Sequence, residues 1–167
     1  MSSQTKARFQ ELIAADVRAE IDREIAKYPP ERKGAAVMAA LRLVQEKHGW
    51  LSPELIEAVA VYLEIPPVRA MEVASFYTMY DLAPVGKHKV CVCTNISCML
   101  SGSDKVVAHL EKKLGIKLGE TTADGKITLK EVECLGACVG APMMQVDKTF
   151  HENLTPQKLD EILKELK

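Results

Sequence analysis

The stretches VCVCTNISCMLSGS (residues 90–103) and CLGACVGAPMMQV (residues 134–146) together contain all five cysteines of this chain. Neither stretch contains Asp, Glu, Lys or Arg, and they are the two longest uncharged stretches of the sequence. Cysteines confined to two uncharged segments indicate a buried site built from sulfur. We therefore interpret the rest of the chain as the scaffold that brings these two segments together.

Four of the cysteines form two close pairs. Four residues separate Cys93 from Cys98, three separate Cys134 from Cys138, and 35 lie between the pairs. Ligands of one metal centre must converge, so each pair comes from one short loop while the fold sets the separation between loops. The spacing therefore indicates a four-thiolate metal site. Cys91 is left over, and we interpret it as a small buried hydrophobic residue on a strand.

The spacing favours iron–sulfur but leaves zinc as an alternative. A [2Fe-2S] cluster with four thiolates is an anion, so backbone N–H groups rather than acids must face its sulfurs. Gly102, Gly136 and Gly140 allow the loops to wrap closely around it. A structural zinc site also uses four cysteines, although usually with two-residue gaps in very small domains. Disulfides or thiol redox chemistry rank last, because five is an odd number and disulfides are rare in a reducing compartment.

The composition excludes several functional classes. With 167 residues, of which 47% are hydrophobic and 27% charged, the chain is expected to fold as one domain with room for a second module. Its net charge of −1 lacks the basic excess of nucleic-acid-binding proteins. No apolar run approaches the roughly 18 residues of a membrane span. The N-terminal segment has no apolar core typical of a secretory signal, so we expect a cytoplasmic protein without direct membrane insertion.

The sequence predicts two domains, residues 1–84 and residues 85–167. The first has no cysteine and reads as helical throughout, with proline pairs and a Ser-Pro helix start dividing it into a bundle. Its first helix is predicted from apolar residues at every fourth position: Phe9, Ile13, Val17, Ile21 and Ile25.

The second domain has the pattern of a small sheet with helices on its faces. Val90 and Val92 alternate with Cys91 and Cys93 as in a strand. A helix up to Leu114, a strand near residues 127–132, a hairpin over residues 143–151 and a final helix complete the order β-α-β-β-β-α. The predicted fold class is therefore α+β, with a helical bundle preceding the cysteine-containing domain.

No complete active site is predicted in this chain. The four histidines are scattered, and no catalytic triad, paired carboxylates or phosphate-binding glycine loop stands out, so we expect no catalytic residues. The chain is thus expected to bind neither flavin nor nicotinamide by itself. The aromatic segment Ser75–Tyr80 is interpreted as core packing between the two halves of the chain, with a partner-facing patch as the alternative.

Several segments resemble a known family. They are Ala74-Ser-Phe-Tyr-Thr-Met79, Pro84-Val-Gly-Lys87, Cys93-Thr-Asn-Ile-Ser-Cys98, Cys134-Leu-Gly-Ala-Cys138 with Ala141-Pro142, and Asn153-Leu-Thr-Pro156. Together they are similar to the E subunits of NADH-quinone oxidoreductase, respiratory complex I. The resemblance implies an N-terminal helical bundle followed by a thioredoxin-like domain with one [2Fe-2S] cluster. It also implies that Cys93, Cys98, Cys134 and Cys138 are the ligands.

The resemblance also implies partners. Members of this family bind a flavoprotein subunit that holds FMN and the NADH site, and the cluster exchanges single electrons with that FMN. The chain is then expected to be peripheral, on the cytoplasmic side of the inner membrane through other subunits. NAD-linked hydrogenases and formate dehydrogenases use closely similar subunits, so the equivalent subunit of such a complex is an alternative. A zinc-stabilised interaction module is the lower-ranked alternative from another class.

Overall fold

The computed structural model describes residues 11–166, which belong to two compact units divided between Pro84 and Val85. The described part of the first unit is helical, and the second combines helices with a sheet. The predicted α+β class is therefore confirmed. Across residues 11–166, no helix combines the length and apolar composition that a membrane crossing requires.

After a helical turn that ends at Leu12, the described N-terminal unit contains four further α-helices and one 3₁₀ segment. They are α1 (Ala15–Ile25), the 3₁₀ segment (Pro30–Ala36), α2 (Val37–His48), α3 (Pro53–Leu63) and α4 (Pro67–Phe76). Ser52 begins α3 as predicted, because its Oγ accepts a hydrogen bond from the N–H of Leu55 at 3.3 Å. Gly49 ends α2 with a φ of +85°, a conformation that glycine adopts at low cost.

The apolar faces of these helices form one core. Its members include Ile13, Ile21, Leu41, Val44, Ile56 and Leu63, each at most 2% exposed. The prediction of one uninterrupted helix from Phe9 to Ile25 is wrong, because the backbone of Ala14 is extended (φ −56°, ψ 151°) and α1 starts only at Ala15. Phe9 itself lies outside the described residues. Periodicity thus identified the buried face but not the break in the helix.

The aromatic segment after α4 is divided between core and surface. Tyr80 is buried, and its hydroxyl donates a hydrogen bond to the carbonyl of Met38 at 2.8 Å. Phe76 is 77% exposed, with its ring edge-on to that of Tyr77 at a centroid distance of 5.0 Å. Tyr80 therefore packs in the core of the N-terminal unit, whereas core packing is the wrong interpretation for Phe76.

The C-terminal unit is built on a four-stranded mixed sheet. Its strands are β1 (His88–Cys93), β2 (Ile127–Val132), β3 (Met144–Val146) and β4 (Thr149–His151), in the order β2-β1-β3-β4. β1 pairs in parallel with β2 and antiparallel with β3, and β3 and β4 form the predicted hairpin. Helices α5 (Ile96–Leu100) and α6 (Ser103–Leu114) connect β1 to β2, and α7 (Pro156–Glu165) follows β4.

β1 is an inner strand of this sheet and leads directly into the first cysteine pair. Val90 and Val92 are fully buried, in a core that includes Leu110, Leu129 and Met144. Cys91, between the two valines, is half-buried and not buried as predicted, because it lies on the opposite face of the strand. The alternation read from the sequence therefore places the valines in the core.

Gly86 allows a close approach between the segment that precedes β1 and the start of β2. A Cβ atom at this position would lie 2.9 Å from the backbone N of Ile127 and from the backbone C and O of Lys126. Its N–H donates to Thr128 Oγ1 at 2.6 Å. All three obstructing atoms belong to the backbone, so no side-chain rotation can relieve the contact.

We predict that Gly86→Ala destabilises the C-terminal unit by about 1–3 kcal/mol, the usual cost of overpacking a close contact. Denaturant unfolding of the full chain, followed by far-ultraviolet circular dichroism, measures the change. Lys87→Ala is the matched control, because Lys87 joins this contact through its backbone N–H, which donates to the carbonyl of Gly125 and which alanine retains. Equal unfolding midpoints for the two variants would contradict the prediction, because the structure would then accommodate a Cβ atom at position 86 without cost.

Candidate metal centre

The first cysteine pair lies where β1 ends. Cys93 is the last residue of β1, and Cys98 lies within the five-residue helix α5. Asn95 begins α5, and its Oδ1 accepts a hydrogen bond from the N–H of Ile96 at 2.6 Å. This tight turn from strand to helix folds Cys98 back towards Cys93. The two side chains are buried, with 3% of Cys93 and 1% of Cys98 exposed.

The second pair lies in the loop that follows β2. Cys134 and Cys138 are both exposed. Gly136, between them, has a φ of +75°, and its N–H donates to Cys134 Sγ at 3.3 Å. A short 3₁₀ turn, Cys138–Gly140, then leads towards β3. The backbone of the second loop therefore hydrogen-bonds with the sulfur of Cys134, the first cysteine of that loop.

Hydrogen bonds connect the end of β1 to both sides of the second loop. The N–H of Cys93 donates to the carbonyl of Met143 at 3.2 Å, and that of Thr94 donates to the carbonyl of Val132 at 3.3 Å. Cys93 Sγ lies 4.0 Å from the carbonyl oxygen of Glu133, to which it donates. The two loops are thus held together by their backbones.

The four predicted site cysteines interact both within the first pair and between the two pairs. Cys93 hydrogen-bonds with Cys98 and with Cys134, and Cys98 interacts electrostatically with Cys138. Within residues 11–166, no group of three or more His, Cys, Asp or Glu side chains is already arranged around a single metal ion. Cys91 is half-buried and, in the part of the chain that the structure describes, is not a member of the packing cluster of Cys93, Cys98 and Met143.

The two buried thiols have different acidities. Burial raises the pKa of Cys98, and its hydrogen bond with Cys93 raises it further. Burial also acts to raise the pKa of Cys93, but hydrogen bonds with the backbone of Asn95, with Cys98 and with the backbone of Leu135 outweigh it, so the pKa of Cys93 is lowered. Cys93 is therefore the thiol of this pair that ionises first, and the thiolate is the form that binds metal.

The donor set fits an iron–sulfur cluster. Backbone groups of four residues hydrogen-bond with sulfur atoms of the predicted site: Asn95, Leu135, Gly136 and Met143. The uncharged segments 90–103 and 134–146 supply no carboxylate or ammonium group beside these sulfurs. These backbone groups stabilise three of the four thiols, Cys93, Cys98 and Cys134, without adding a charge, as an anionic cluster requires. The residues present therefore fit a [2Fe-2S] cluster.

The three glycines selected from the sequence have different surroundings. Gly136 donates to sulfur as expected. Gly102 instead precedes α6 with a φ of +95°, and its N–H donates to the carbonyl of Met99 at 3.0 Å. Gly140 is buried under the side chain of Glu152, a residue on the connection between β4 and α7. No sequence pattern indicated Glu152, because it is 14 positions from Cys138 and meets the loop only in the folded chain.

Comparisons with known proteins agree with this fold and donor set. Residues 21–167 match the family described as thioredoxin-like [2Fe-2S] ferredoxin. The E subunit of NADH-quinone oxidoreductase from Rickettsia felis is 50% identical over 142 residues, which cover 84% of this chain and 85% of the relative. The E subunit numbered 2 of the same enzyme from Rhizobium meliloti is 46% identical over 147 residues, covering 88% of this chain and 86% of the relative.

A solved structure shows the same fold in a larger protein. NAD+-reducing [NiFe]-hydrogenase in the air-oxidized state superposes with a TM-score of 0.68 at 19% sequence identity. The match covers 78% of this chain but 22% of the hydrogenase chain, so this chain spans about a fifth of that protein's length. At this identity the similarity establishes the fold alone.

The family match gives the chain its cofactor and its general role. The cofactor is a [2Fe-2S] cluster, and the chain is an electron-transfer subunit of a multi-subunit oxidoreductase complex. The resemblance found in the cysteine segments is thereby confirmed over most of the chain. The chain belongs to the thioredoxin-like [2Fe-2S] ferredoxin family and, within it, to the family of NADH-quinone oxidoreductase E subunits.

Proposed function

We propose that this chain exchanges single electrons with the FMN of a partner flavoprotein subunit in NADH-quinone oxidoreductase. One [2Fe-2S] cluster, bound by Cys93, Cys98, Cys134 and Cys138, would accept and release the electron. The observation that supports this proposal best is the interaction of these four thiols, which come from two loops that the fold holds together. The general role in electron transfer follows from the family, whereas the ligands and the flavin partner are the proposal.

The unequal exposure of the two pairs supports exchange through the second loop. Cys93 and Cys98 are buried and anchor the inner side of the site, whereas Cys134 and Cys138 are exposed. Electrons are transferred efficiently only over short distances, so a redox partner has to approach the exposed side. The second loop is therefore the side that would face the flavin.

The surface around the exposed pair supports contact with a protein. Apolar side chains project from both cysteine loops: Ile96 is 67% exposed, Leu100 79% and Val139 fully exposed. Contact surfaces between subunits are depleted of charged residues at their centre, and both loops are uncharged. The partner surface is expected to be apolar as well.

The remaining assignments follow from this role. FMN and the NADH site would lie on the flavoprotein subunit, so catalysis is shared and this chain supplies the cluster. Other subunits would hold the chain on the cytoplasmic side of the inner membrane. No contact with nucleic acid is proposed, because the net charge is −1.

A second candidate is the equivalent subunit of an NAD-linked hydrogenase or formate dehydrogenase. The fold shared with NAD+-reducing [NiFe]-hydrogenase favours it. Complexes that co-purify with the chain from native cells distinguish the two: quinone-reductase subunits support the first candidate, and a hydrogenase or molybdenum subunit supports the second.

The ligand assignment predicts different outcomes for two cysteine substitutions. Cys134→Ser removes one of four thiolates, and we expect iron per chain to fall more than about tenfold, since even changes beyond the ligands cost 10–100-fold. Cys91→Ser is the matched control and should keep its iron, its visible absorption and its EPR signal on reduction. Iron and sulfide analysis of both variants measures the difference. Equal iron in the two variants refutes the assignment, and stoichiometric zinc in the wild-type chain supports the zinc-stabilised module.

The proposed exchange with FMN predicts that NADH reduces the cluster only through the flavoprotein subunit. In the two-subunit complex, NADH should produce the EPR signal of the reduced cluster, which the Cys134→Ser chain should lack. Flavoprotein from which FMN has been removed is the control and should leave the cluster oxidised. Reduction of the isolated chain by NADH at the same rate would contradict the proposal.

A further inference from the structure

An acidic side chain lies directly against the second cysteine loop. A Cβ atom on Gly140 would be 2.5 Å from both Cβ and Cδ of Glu152, which is closer than real Cβ atoms approach other atoms, and it would also collide with Glu152 Oε2. Gly140 is buried and its φ lies outside the left-handed region, so the backbone itself does not require glycine there. The absence of a side chain at position 140 makes room for Glu152.

The backbone fixes Glu152 at this place. The N–H of Asn153 donates to the carbonyl of Gly140 at 2.6 Å, and that of Leu154 donates to the carbonyl of Pro142 at 3.0 Å. Lys158 Nζ donates to the backbone oxygen of Glu152 at 2.5 Å. The segment after β4 is thus bonded to the loop that follows Cys138.

The carboxylate of Glu152 lies within electrostatic range of the second cysteine pair. Gly140 follows Cys138 by two residues, so their Cα atoms are at most about 7 Å apart. The carboxyl carbon of Glu152 lies ~4 Å or less from the Gly140 Cα. It therefore lies within about 11 Å of the Cys138 Cα. This is close to the Debye length of about 8–10 Å at physiological ionic strength. The cation bonded to this residue within residues 11–166, Lys158 Nζ, contacts its backbone oxygen rather than its carboxylate.

We infer that Glu152 is a positioning residue whose negative charge lowers the reduction potential of the cluster. A lower potential favours release of the electron by the cluster. Adding an electron to an anionic cluster is opposed by a nearby negative charge. Glu133 precedes Cys134 in the second loop, and Glu152 adds a further negative charge from 14 positions beyond Cys138. The inference rests on the proposed ligand set, because Cys138 places the cluster beside Gly140.

Substitutions at position 152 test this inference through the midpoint potential of the full chain, measured by EPR-monitored redox titration. Glu152→Gln should raise the one-electron reduction constant about threefold, which corresponds to about 28 mV. Glu152→Lys should raise it about ninefold, or about 56 mV, because the change in charge is twice as large. Glu152→Asp keeps the charge and should stay closer to the wild type than Glu152→Gln.

Glu165→Gln is the matched control. It removes the same charge from the exposed far end of α7, roughly 13 Å further along the helix axis from its first residue. Its potential should equal that of the wild type. Equal potentials for Glu152→Gln and Glu165→Gln overturn the inference. Loss of iron from Glu152→Gln also overturns it, since the side chain would then support the loop rather than set the potential.

This experiment separates the inference from the proposed function. A wild-type chain without iron, or without an EPR signal on reduction, refutes the cluster assignment and with it the inference. An iron-loaded wild-type chain whose potential does not respond to charge at position 152 refutes the inference alone. The order of potentials Lys above Gln above Asp and Glu supports it.

Discussion

An anionic cluster needs hydrogen-bond donors that bring no competing charge, and the C-terminal unit meets this requirement with its own backbone. Hydrogen bonds from the backbones of Asn95 and Leu135 lower the pKa of Cys93 against the effect of burial. The N–H of Gly136 faces Cys134 Sγ. Such donors exist only where a chain turns sharply, so the short helix α5 and the glycine-containing loop after β2 are consequences of the same requirement.

This requirement explains why β1 is an inner strand. Cys93 ends β1, and its N–H pairs with Met143 just before β3, while Thr94 pairs with Val132 at the end of β2. Parallel pairing on one side and antiparallel pairing on the other therefore bring the beginning and the end of the second cysteine loop to the first. A strand at the edge of the sheet could fix only one of these two ends.

The sequence could predict the local features, because their causes are local. Ser52 before Pro53 marks a helix start wherever it occurs, and the alternation of Val90 and Val92 with cysteine defines the two faces of a strand. The spacing of the cysteines predicted two pairs, and backbone hydrogen bonds from Cys93 and Thr94 join the loops that contain them. The failures have non-local causes. The exposure of Phe76, for example, depends on which helices pack together.

Gly136 and Gly140 show why part of the site lay beyond sequence reasoning. Both are glycines within the same loop, and in the sequence they have the same apparent role of close wrapping. Gly136 has a φ of +75° and donates to sulfur, which a loop-forming glycine is expected to do. Gly140 has neither property, and its missing side chain is explained only by Glu152 above it. Only the fold reveals that Gly136 is needed for its backbone conformation and that Gly140 is needed to leave space for a neighbouring side chain.

The exposed position of Glu152 connects the inferred charge effect with assembly. Water around an exposed carboxylate weakens its field, because the interaction between two charges scales inversely with the effective dielectric constant. The apolar side chains of Leu100 and Val139 would displace water from the cysteine loops when a partner covers them. The same carboxylate would then oppose reduction of the cluster more strongly than in the isolated chain. A charge held beside an apolar contact surface would therefore make the potential of the cluster depend on whether its redox partner is bound.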